Sequence, residues 1–187
     1  MDHYVDIEVR ADPEFANNQL MGALYAKLHR VFVAQDNHSI GVSFPGMDEV
    51  GTHLGPRLRL HGELEALRIL LASDWLAGMR DHVALTSPLP VPHQAPHRTV
   101  SRVQVKSSPA RLRRRLIRRH DLSEEEASQR IPDDAVRSTH LPFVQMRSIS
   151  TGQAFRLFIR HGPVQAMPNA GDFNTYGLGQ GATIPWF

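Results

Sequence analysis

Six short segments with the spacing of strands and helices follow one another through the first 86 residues. Apolar residues alternate with polar ones in the strand segments and recur every three or four residues in the helix segments. The segments are strands at 4–10, 39–44, 57–61 and 82–86 and helices at 15–34 and 63–72. In chain order they run βαββαβ, which predicts a ferredoxin-like domain. Many RNA-binding domains have this arrangement, but the fold alone assigns no function.

A proline-rich stretch, SPLPVPHQAP at residues 87–96, follows these segments. Its four prolines are incompatible with the interior of a helix or a central strand. We therefore predict a first domain at 1–86, an extended linker at 87–97 and a second domain at 98–187.

The charge balance changes at the same place. Residues 1–95 contain 7 Lys and Arg against 12 Asp and Glu, whereas residues 96–187 contain 14 against 7. The small net charge of +2 therefore conceals an acidic first half and a basic second half. This asymmetry indicates that the second half carries an anionic partner.

The second half mixes strand and helix patterns. SRVQVKS alternates basic or polar with apolar residues, and Ser108-Pro109 is a helix start signal for a helix at 109–120. A second short helix is predicted from the SEEE capping box at Ser123 to just before Pro132. Strands are predicted at 143–149 and 155–159, before a glycine-punctuated end. The chain is thus predicted to be α+β, with a smaller α+β second domain bearing an arginine-rich helix.

The sequence RLRRRLIRRH at 111–120 forms an amphipathic helix with an almost purely cationic face. At about 100° per residue, five arginines share an arc of about 140°. They are Arg111, Arg114, Arg115, Arg118 and Arg119. Leucine and isoleucine side chains, together with Arg113 and His120, fall on the other side. This unrelieved charge favours a nucleic-acid contact; a solvated face or an acidic protein partner is the alternative. The helix does not distinguish DNA from RNA.

Several classes of protein and site are disfavoured. The chain has no cysteine, so disulfides and cysteine-ligated zinc sites are excluded. No apolar run approaches the roughly 18 residues of a membrane span, and MDHYVDIEVR lacks signal-peptide character, so a cytoplasmic protein is expected. The acidic residues at 124–126 and 133–134 suit helix ends better than a metal site, and no histidine pair has HExxH spacing.

A nuclease without metal would have one accessible route, because RNA carries its own nucleophile in the 2′-hydroxyl. The protein would need to position that hydroxyl, remove its proton and stabilise the developing charge. Histidine suits proton removal near neutrality. Spacing alone does not select one of the eleven histidines. His29 is by pattern a helix-edge histidine, while Ser148, Tyr176 and Phe155 are a strand serine, a loop tyrosine and a strand aromatic.

Three long segments carry a resemblance to a known family. SRVQVKSSPARLRRRLIRRHDLSEEEASQRIPD, LPFVQMRSISTGQAFRLFIRHGP and PEFANNQLMGALYAKLHRVFVAQ resemble the type I-F CRISPR repeat-processing endoribonucleases, as do IGVSFP and the C-terminal YGLGQG…IPWF. The likeness covers essentially the whole chain. It implies a ferredoxin-like domain followed by a domain with the arginine helix.

The resemblance also implies an activity and partners. Members of this family cut CRISPR precursor RNA at the 3′ base of each repeat hairpin, without metal or cofactor, leaving a 2′,3′-cyclic phosphate and a 5′-hydroxyl. The enzyme stays on the mature guide RNA, as a monomer on RNA, and joins the type I-F surveillance complex.

Carried over by position, the family pattern assigns roles to single residues. It makes His29 the base for the 2′-hydroxyl and Ser148 the group that holds this hydroxyl. It makes Tyr176 an active-site tyrosine that orients either His29 or the scissile phosphate. It makes Arg102 and Gln104 base readers and Phe155 a stacking residue at the hairpin base. The groove-binding helix comprises Arg111, Arg114, Arg115, Arg118, Arg119 and His120. The alternatives are a non-catalytic RNA-hairpin-binding subunit and a DNA-binding protein with a recognition helix.

Overall fold

The computed structural model describes residues 1–48, 51–104, 109–132, 140–148 and 151–187. Within these residues the chain forms nine strands and four α-helices. The strands make two antiparallel sheets, which confirms the α+β class.

Four strands of the first sheet and the two helices between them in the chain are the segments predicted from the βαββαβ pattern. The elements are β1 (His3–Val9), α1 (Asn17–Ala34), β2 (Gly41–Ser43), β3 (Arg57–Gly62), α2 (Leu64–Ala72) and β4 (Val83–Leu85). A short 3-10 turn, Arg80–His82, leads into β4. The strand order is β2-β3-β1-β4, with all pairs antiparallel. All six predicted elements are therefore present, with ends that differ by a few residues.

Part of the proline-rich stretch is paired. Strand β5 (Leu89–Pro90) runs antiparallel to β1, with Pro90 opposite His3 and Leu89 opposite Tyr4. Proline is tolerated here because β5 is only two residues long and lies beside the end of β1, where ladder hydrogen bonds are few. The stretch thus differs from an unpaired linker.

The second sheet has the order β7-β8-β6-β9. Its strands are β6 (His97–Val103), β7 (Phe143–Arg147), β8 (Ala154–Gln165) and β9 (Thr183–Pro185). Strand β8 continues beyond the predicted end at residue 159, across Gly162 and Pro163. The register shifts between Arg98 and Val100 of the partner strand at this point, which accommodates the proline. Strand β9 was not predicted, because three residues after a glycine-rich loop carry little periodic signal.

Helix α1 packs its apolar stripe into the core and lies close to the edge strand β7. The buried stripe consists of Leu20, Met21, Gly22, Leu24, Tyr25, Leu28 and Phe32. Gly22 permits the close approach, because a Cβ at that position would lie 2.7 Å from the carbonyl oxygen of Gln145. Gly41 of β2 similarly leaves room for Ile184 of β9 and for Phe173. These contacts hold the two sheets against one another.

The chain divides into two compact units, residues 1–103 with 141–187, and residues 104–140. This division differs from the one suggested by the proline-rich stretch, since strands before and after that stretch share one core. The second unit contains α3 (Pro109–His120) and α4 (Glu124–Arg130). Both helices were predicted, and the Ser123 hydroxyl caps α4 by accepting a hydrogen bond from the Glu126 amide. Asp121 ends α3 with a φ of 49°.

Among the helices that the structure describes, none combines the length and the apolar character needed to cross a membrane.

Candidate active site and cationic helix

His29 lies on α1 with its ring half-buried against the loop that follows Phe173. Its Nδ1 is 2.8 Å from the main-chain oxygen of Thr175. A carbonyl oxygen can only accept, so Nδ1 must be the protonated nitrogen. In the neutral ring the lone pair then sits on Nε2, which leaves that nitrogen able to take up a proton.

The ring of Tyr176 stacks on the imidazole of His29. The two ring centroids are 3.9 Å apart and the planes differ by 7°. The stack and the Thr175 hydrogen bond act on the same ring, one on its face and one at its edge. Together they define both the plane of the imidazole and its rotation within that plane.

The turn that carries Thr175 and Tyr176 is held by Asn174. Its side-chain oxygen accepts hydrogen bonds from the amides of Tyr176 and Leu178, at 2.9 and 3.3 Å. Gly177 adopts a φ of +69°, and a Cβ there would lie 2.3 Å from a methyl carbon of Val42. Glycine is thus required at position 177 for two reasons: the positive φ disfavours other residues, and a Cβ would clash with Val42.

Tyr25 connects α1 to the same turn and was not singled out from the sequence. It is 1% exposed, and its hydroxyl donates a 2.7 Å hydrogen bond to the main-chain oxygen of Tyr176. Burial raises the pKa of this hydroxyl, so it remains a donor throughout the usual pH range. Tyr25 precedes His29 by about one helical turn, so the two side chains project on the same side of α1. Two adjacent carbonyls of the turn are therefore bonded from one helix face.

Arg102 and Phe155 extend this arrangement on the second sheet. The guanidinium carbon of Arg102 lies 5.5 Å from the ring centroid of Tyr176 and 6.0 Å from that of Phe155. Arg102 is exposed at the end of β6, and Phe155 is half-buried near the start of β8. The structure therefore brings four of the candidate residues into one row: His29, Tyr176, Arg102 and Phe155.

Ser148 directly follows β7. Its amide donates to Gln153, and its own carbonyl accepts from Gly152, both at 2.9 Å. Its hydroxyl accepts a 3.3 Å bond from the amide of Thr151. Phe155 pairs with Met146 in the same hairpin, so Ser148 and Phe155 both lie at its turn end.

The cationic helix belongs to the second unit. Gln104, the first residue of this unit, is exposed. The exposed side chains of α3 are Arg114, Arg115, Arg118, Arg119 and His120, while the side chain of Arg111 lies outside the described residues. Leu112, Leu116 and Ile117 of α3 are half-buried, as the helical phase predicts. His120 is exposed rather than grouped with them, because it is the last residue of the helix.

Arg113 differs from the other arginines of α3. Its Nε donates a 2.7 Å hydrogen bond to the main-chain oxygen of Ile131, which follows α4. Arg113 is half-buried and serves the packing of α3 on α4. This role agrees with its predicted position off the cationic face.

A histidine with a defined basic nitrogen and a separate cationic helix are the two parts expected of a nucleic-acid-processing protein. Comparison with known proteins agrees with that class. The family model described as CRISPR-associated protein (Cas_Csy4) matches residues 4–187. The chain therefore belongs to the Cas_Csy4 family of CRISPR-associated proteins.

Two relatives are similar along their whole length. The CRISPR-associated endonuclease Cas6/Csy4 of Pseudomonas aeruginosa (strain UCBPP-PA14) is 59% identical over 187 residues, which is 100% of both chains. The CRISPR-associated endonuclease Cas6/Csy4 of Escherichia coli (strain UTI89 / UPEC) is 50% identical over 187 residues, again 100% of both chains. Both relatives are thus named as endonucleases, and the resemblance inferred from the sequence motifs is confirmed.

Proposed function

We propose that this protein is an endoribonuclease that cuts CRISPR precursor RNA at the 3′ base of the repeat stem-loop. The observation that carries the proposal is the His29 site, in which Nδ1 is bonded to Thr175 and the ring is stacked on Tyr176. The full-length similarity to proteins named CRISPR-associated endonucleases supports the substrate.

The proposed reaction is a transesterification within the RNA. Nε2 of His29 takes the proton of the ribose 2′-hydroxyl, and the 2′-oxygen attacks the adjacent phosphorus. The bond from phosphorus to the 5′-oxygen breaks, and that oxygen acquires a proton as it leaves. The products are a 2′,3′-cyclic phosphate and a 5′-hydroxyl. The RNA supplies the nucleophile, so the proposed reaction needs no metal ion.

The other site residues have proposed roles that suit their chemistry. Ser148 holds the attacking hydroxyl, and Tyr176 orients His29 by stacking. Phe155, a half-buried aromatic near the start of β8, stacks on the base pair that closes the stem. Arg102 and Gln104 read bases, since arginine pairs well with guanine and glutamine with adenine.

The cationic helix is the proposed grip on the stem. Arg114, Arg115, Arg118 and Arg119 present guanidinium groups on one exposed face, with His120 at the end of the helix. Arg111 belongs to the same arc in the sequence. Guanidinium groups bind phosphates in pairs of hydrogen bonds, so we expect mostly backbone contacts here.

We further propose that the enzyme stays on the cleaved guide RNA as a monomer and enters the type I-F surveillance complex in the cytoplasm. The βαββαβ segment is assigned to the ferredoxin-like class as part of the same proposal. The antiparallel order β2-β3-β1-β4 supports that assignment.

The test is cleavage of a matched repeat hairpin in EDTA. We expect one cut at the 3′ base and a product that ends in a cyclic phosphate. An otherwise identical hairpin with deoxyribose beside the cut should bind but remain whole. Cleavage of the deoxyribose hairpin would contradict the 2′-hydroxyl mechanism. A wild-type protein that binds the all-ribose hairpin without cutting it would instead be an RNA-binding subunit.

A further inference from the structure

One face of the second sheet is rich in arginine and phenylalanine and has no part in the proposed reaction. Alternation along β7 and β8 directs Val144, Met146, Leu157 and Ile159 into the core. The opposite face carries Phe143, Gln145, Arg147, Arg156, Phe158 and Arg160, which we call the Arg-Phe face. Phe155 and Arg102 belong to the inner side, so the Arg-Phe face is distinct from the candidate active site.

The charge on this face is unbalanced. No Asp or Glu occurs in strands β6, β7, β8 or β9. Arg147, Arg156 and Arg160 are exposed, and in the described parts of the chain none of them forms an ion pair with a carboxylate. Exposed like charges of this kind are expected where an external anion supplies the balance.

Aromatic rings lie between the arginines. Phe143 and Phe158 are directly opposite one another, with ring centroids 5.6 Å apart at an angle of 65°. Phe143 is 37% exposed, and the guanidinium carbon of Arg156 lies 4.6 Å from its ring centroid. On β8, Arg156 and Arg160 flank Phe158 and stand about 13 Å apart by the strand rise. Cationic and aromatic groups thus alternate along this face.

These features favour single-stranded RNA over the other polyanions. Arginine binds phosphates, and exposed rings or guanidinium planes stack on bases whose faces are free. Duplex bases are already stacked on one another and therefore cannot stack on the phenylalanine rings. An acidic peptide would satisfy the arginines but would gain less from an exposed phenylalanine between them.

We propose that the Arg-Phe face binds the unpaired RNA that adjoins the repeat hairpin on its 5′ side. The choice of the 5′ side rests on the proposed function. The proposed cut releases the RNA 3′ of the hairpin, whereas the 5′ segment stays attached to the product that the enzyme retains. A second contact on this segment strengthens retention without a role in the chemistry.

Three uncleavable RNAs test the proposal, each with deoxyribose at the cut where a cut exists. They are the bare hairpin, the hairpin with about ten unpaired nucleotides on its 5′ side, and the hairpin with the same segment on its 3′ side. We expect wild-type protein to bind the 5′-extended hairpin about tenfold more tightly than the bare one. The double variant R156Q/R160Q should lose this gain and reduce the salt slope for the 5′-extended RNA by about two. Phe143→Leu should lose part of the gain with an unchanged salt slope.

The matched control is R68Q/R80Q, which removes the same charge from exposed arginines of the first half. It should retain the 5′ gain, and all variants should cut an all-ribose hairpin at the wild-type rate when protein is saturating. The proposal is overturned by an absent 5′ gain, by a gain from the 3′ segment alone, or by equal weakening of all three RNAs in R156Q/R160Q. It is also overturned if R156Q/R160Q leaves RNA binding intact but loses binding to a glutamate-rich peptide.

Failure of the proposed function would look different. In that case the wild-type protein would neither bind the bare hairpin nor cut the all-ribose repeat hairpin. The Arg-Phe face would then be tested with the unpaired segment alone, which wild-type protein should bind and R156Q/R160Q should bind at least about fivefold more weakly, from the loss of phosphate contacts.

Discussion

The imidazole of His29 and the phenol ring of Tyr176 lie face to face, with 3.9 Å between centroids and 7° between planes. The residue before Tyr176 also supplies the carbonyl that accepts from His29 Nδ1. One turn of the chain therefore holds the ring by its face and by its edge. The proposed chemistry depends on this arrangement, because it leaves Nε2 as the basic nitrogen.

The stack predicts that Tyr176 acts through its ring. Tyr176→Phe keeps the ring and should cleave within a few-fold of the wild-type rate. Tyr176→Ala removes the stack, and its loss should slow single-turnover cleavage by about tenfold, since aromatic pairs contribute about 0.5–1.5 kcal/mol. Equal loss of rate in both variants would show that the hydroxyl is essential instead.

Tyr25→Phe removes only the hydroxyl that bonds the main-chain oxygen of Tyr176. The carbonyl is left without this donor in a buried region, so the free energy of unfolding should fall by about 1–3 kcal/mol. Single-turnover cleavage should slow while hairpin affinity stays the same. Tyr4→Phe is the control, because the described contacts of Tyr4 are made by its ring. A Tyr25→Phe protein with wild-type cleavage and stability would contradict the positioning role.

Helices could be predicted from local sequence patterns, but contacts between residues far apart in the chain could not. The α1 periodicity and the Ser108-Pro109 start of α3 are local signals, and both helices form as predicted. The bond from Tyr25 to Tyr176 joins positions 151 residues apart, and no local pattern encodes it. His29 could be selected from eleven histidines only through family resemblance. The contacts that explain its selection are all made by a loop that lacks periodicity.

The second sheet shows the same limit. Strand β8 crosses Gly162-Pro163 only because β6 shifts register opposite it, and β9 forms only because β6 offers a free edge. The full length of β8 and the existence of β9 both depend on pairing with β6 rather than on a pattern in their own residues. Sequence periodicity could therefore place the strand cores but not their full lengths or the last strand.

Arg59 and Asp6 form the most buried ion pair among the described residues. Arg59 is 5% exposed, bonds both carboxylate oxygens of Asp6 at 2.6 and 2.9 Å, and donates to the main-chain oxygen of Phe187. Arg59→Met leaves the Asp6 carboxylate unpaired and should lower the free energy of unfolding by about 3–5 kcal/mol.

The matched control for Arg59 lies two residues earlier on β3. Arg57 pairs with Glu8, but both side chains are more than two-fifths exposed. Arg57→Met should therefore change stability by about 1 kcal/mol or less. Urea denaturation of the two variants measures the difference, and equal effects would contradict the assigned importance of burial.

Buried His61 predicts a stability that falls with acid. Its Nε2 lies 2.8 Å from the Ser43 hydroxyl, and burial, together with nearby Arg59, lowers its pKa to about 3. The unfolded chain takes up a proton near pH 6.5 and the folded chain does not, so stability is lost as the pH falls from about 6.5 towards 3. The slope from this group approaches about 1.4 kcal/mol per pH unit.

Denaturation at pH 7.5, 6 and 5 measures this slope, with His61→Asn as the comparison. The variant should be less stable than the wild type at pH 7.5, because it loses the packed imidazole. Its stability should nevertheless fall less steeply between pH 6 and 5. Parallel curves for the two proteins would mean that other groups cause the acid sensitivity.

Single-turnover cleavage of a matched repeat hairpin by His29→Ala in EDTA tests whether His29 is the general base. His93→Ala is the control, because His93 is an exposed histidine in the proline-rich stretch. We expect His29→Ala to bind the hairpin as tightly as wild type but to cut it at least about 100-fold more slowly, the lower limit for general-base catalysis. His93→Ala should cut at the wild-type rate. Cleavage by His29→Ala at a rate close to wild type would contradict the assignment of His29 as the base.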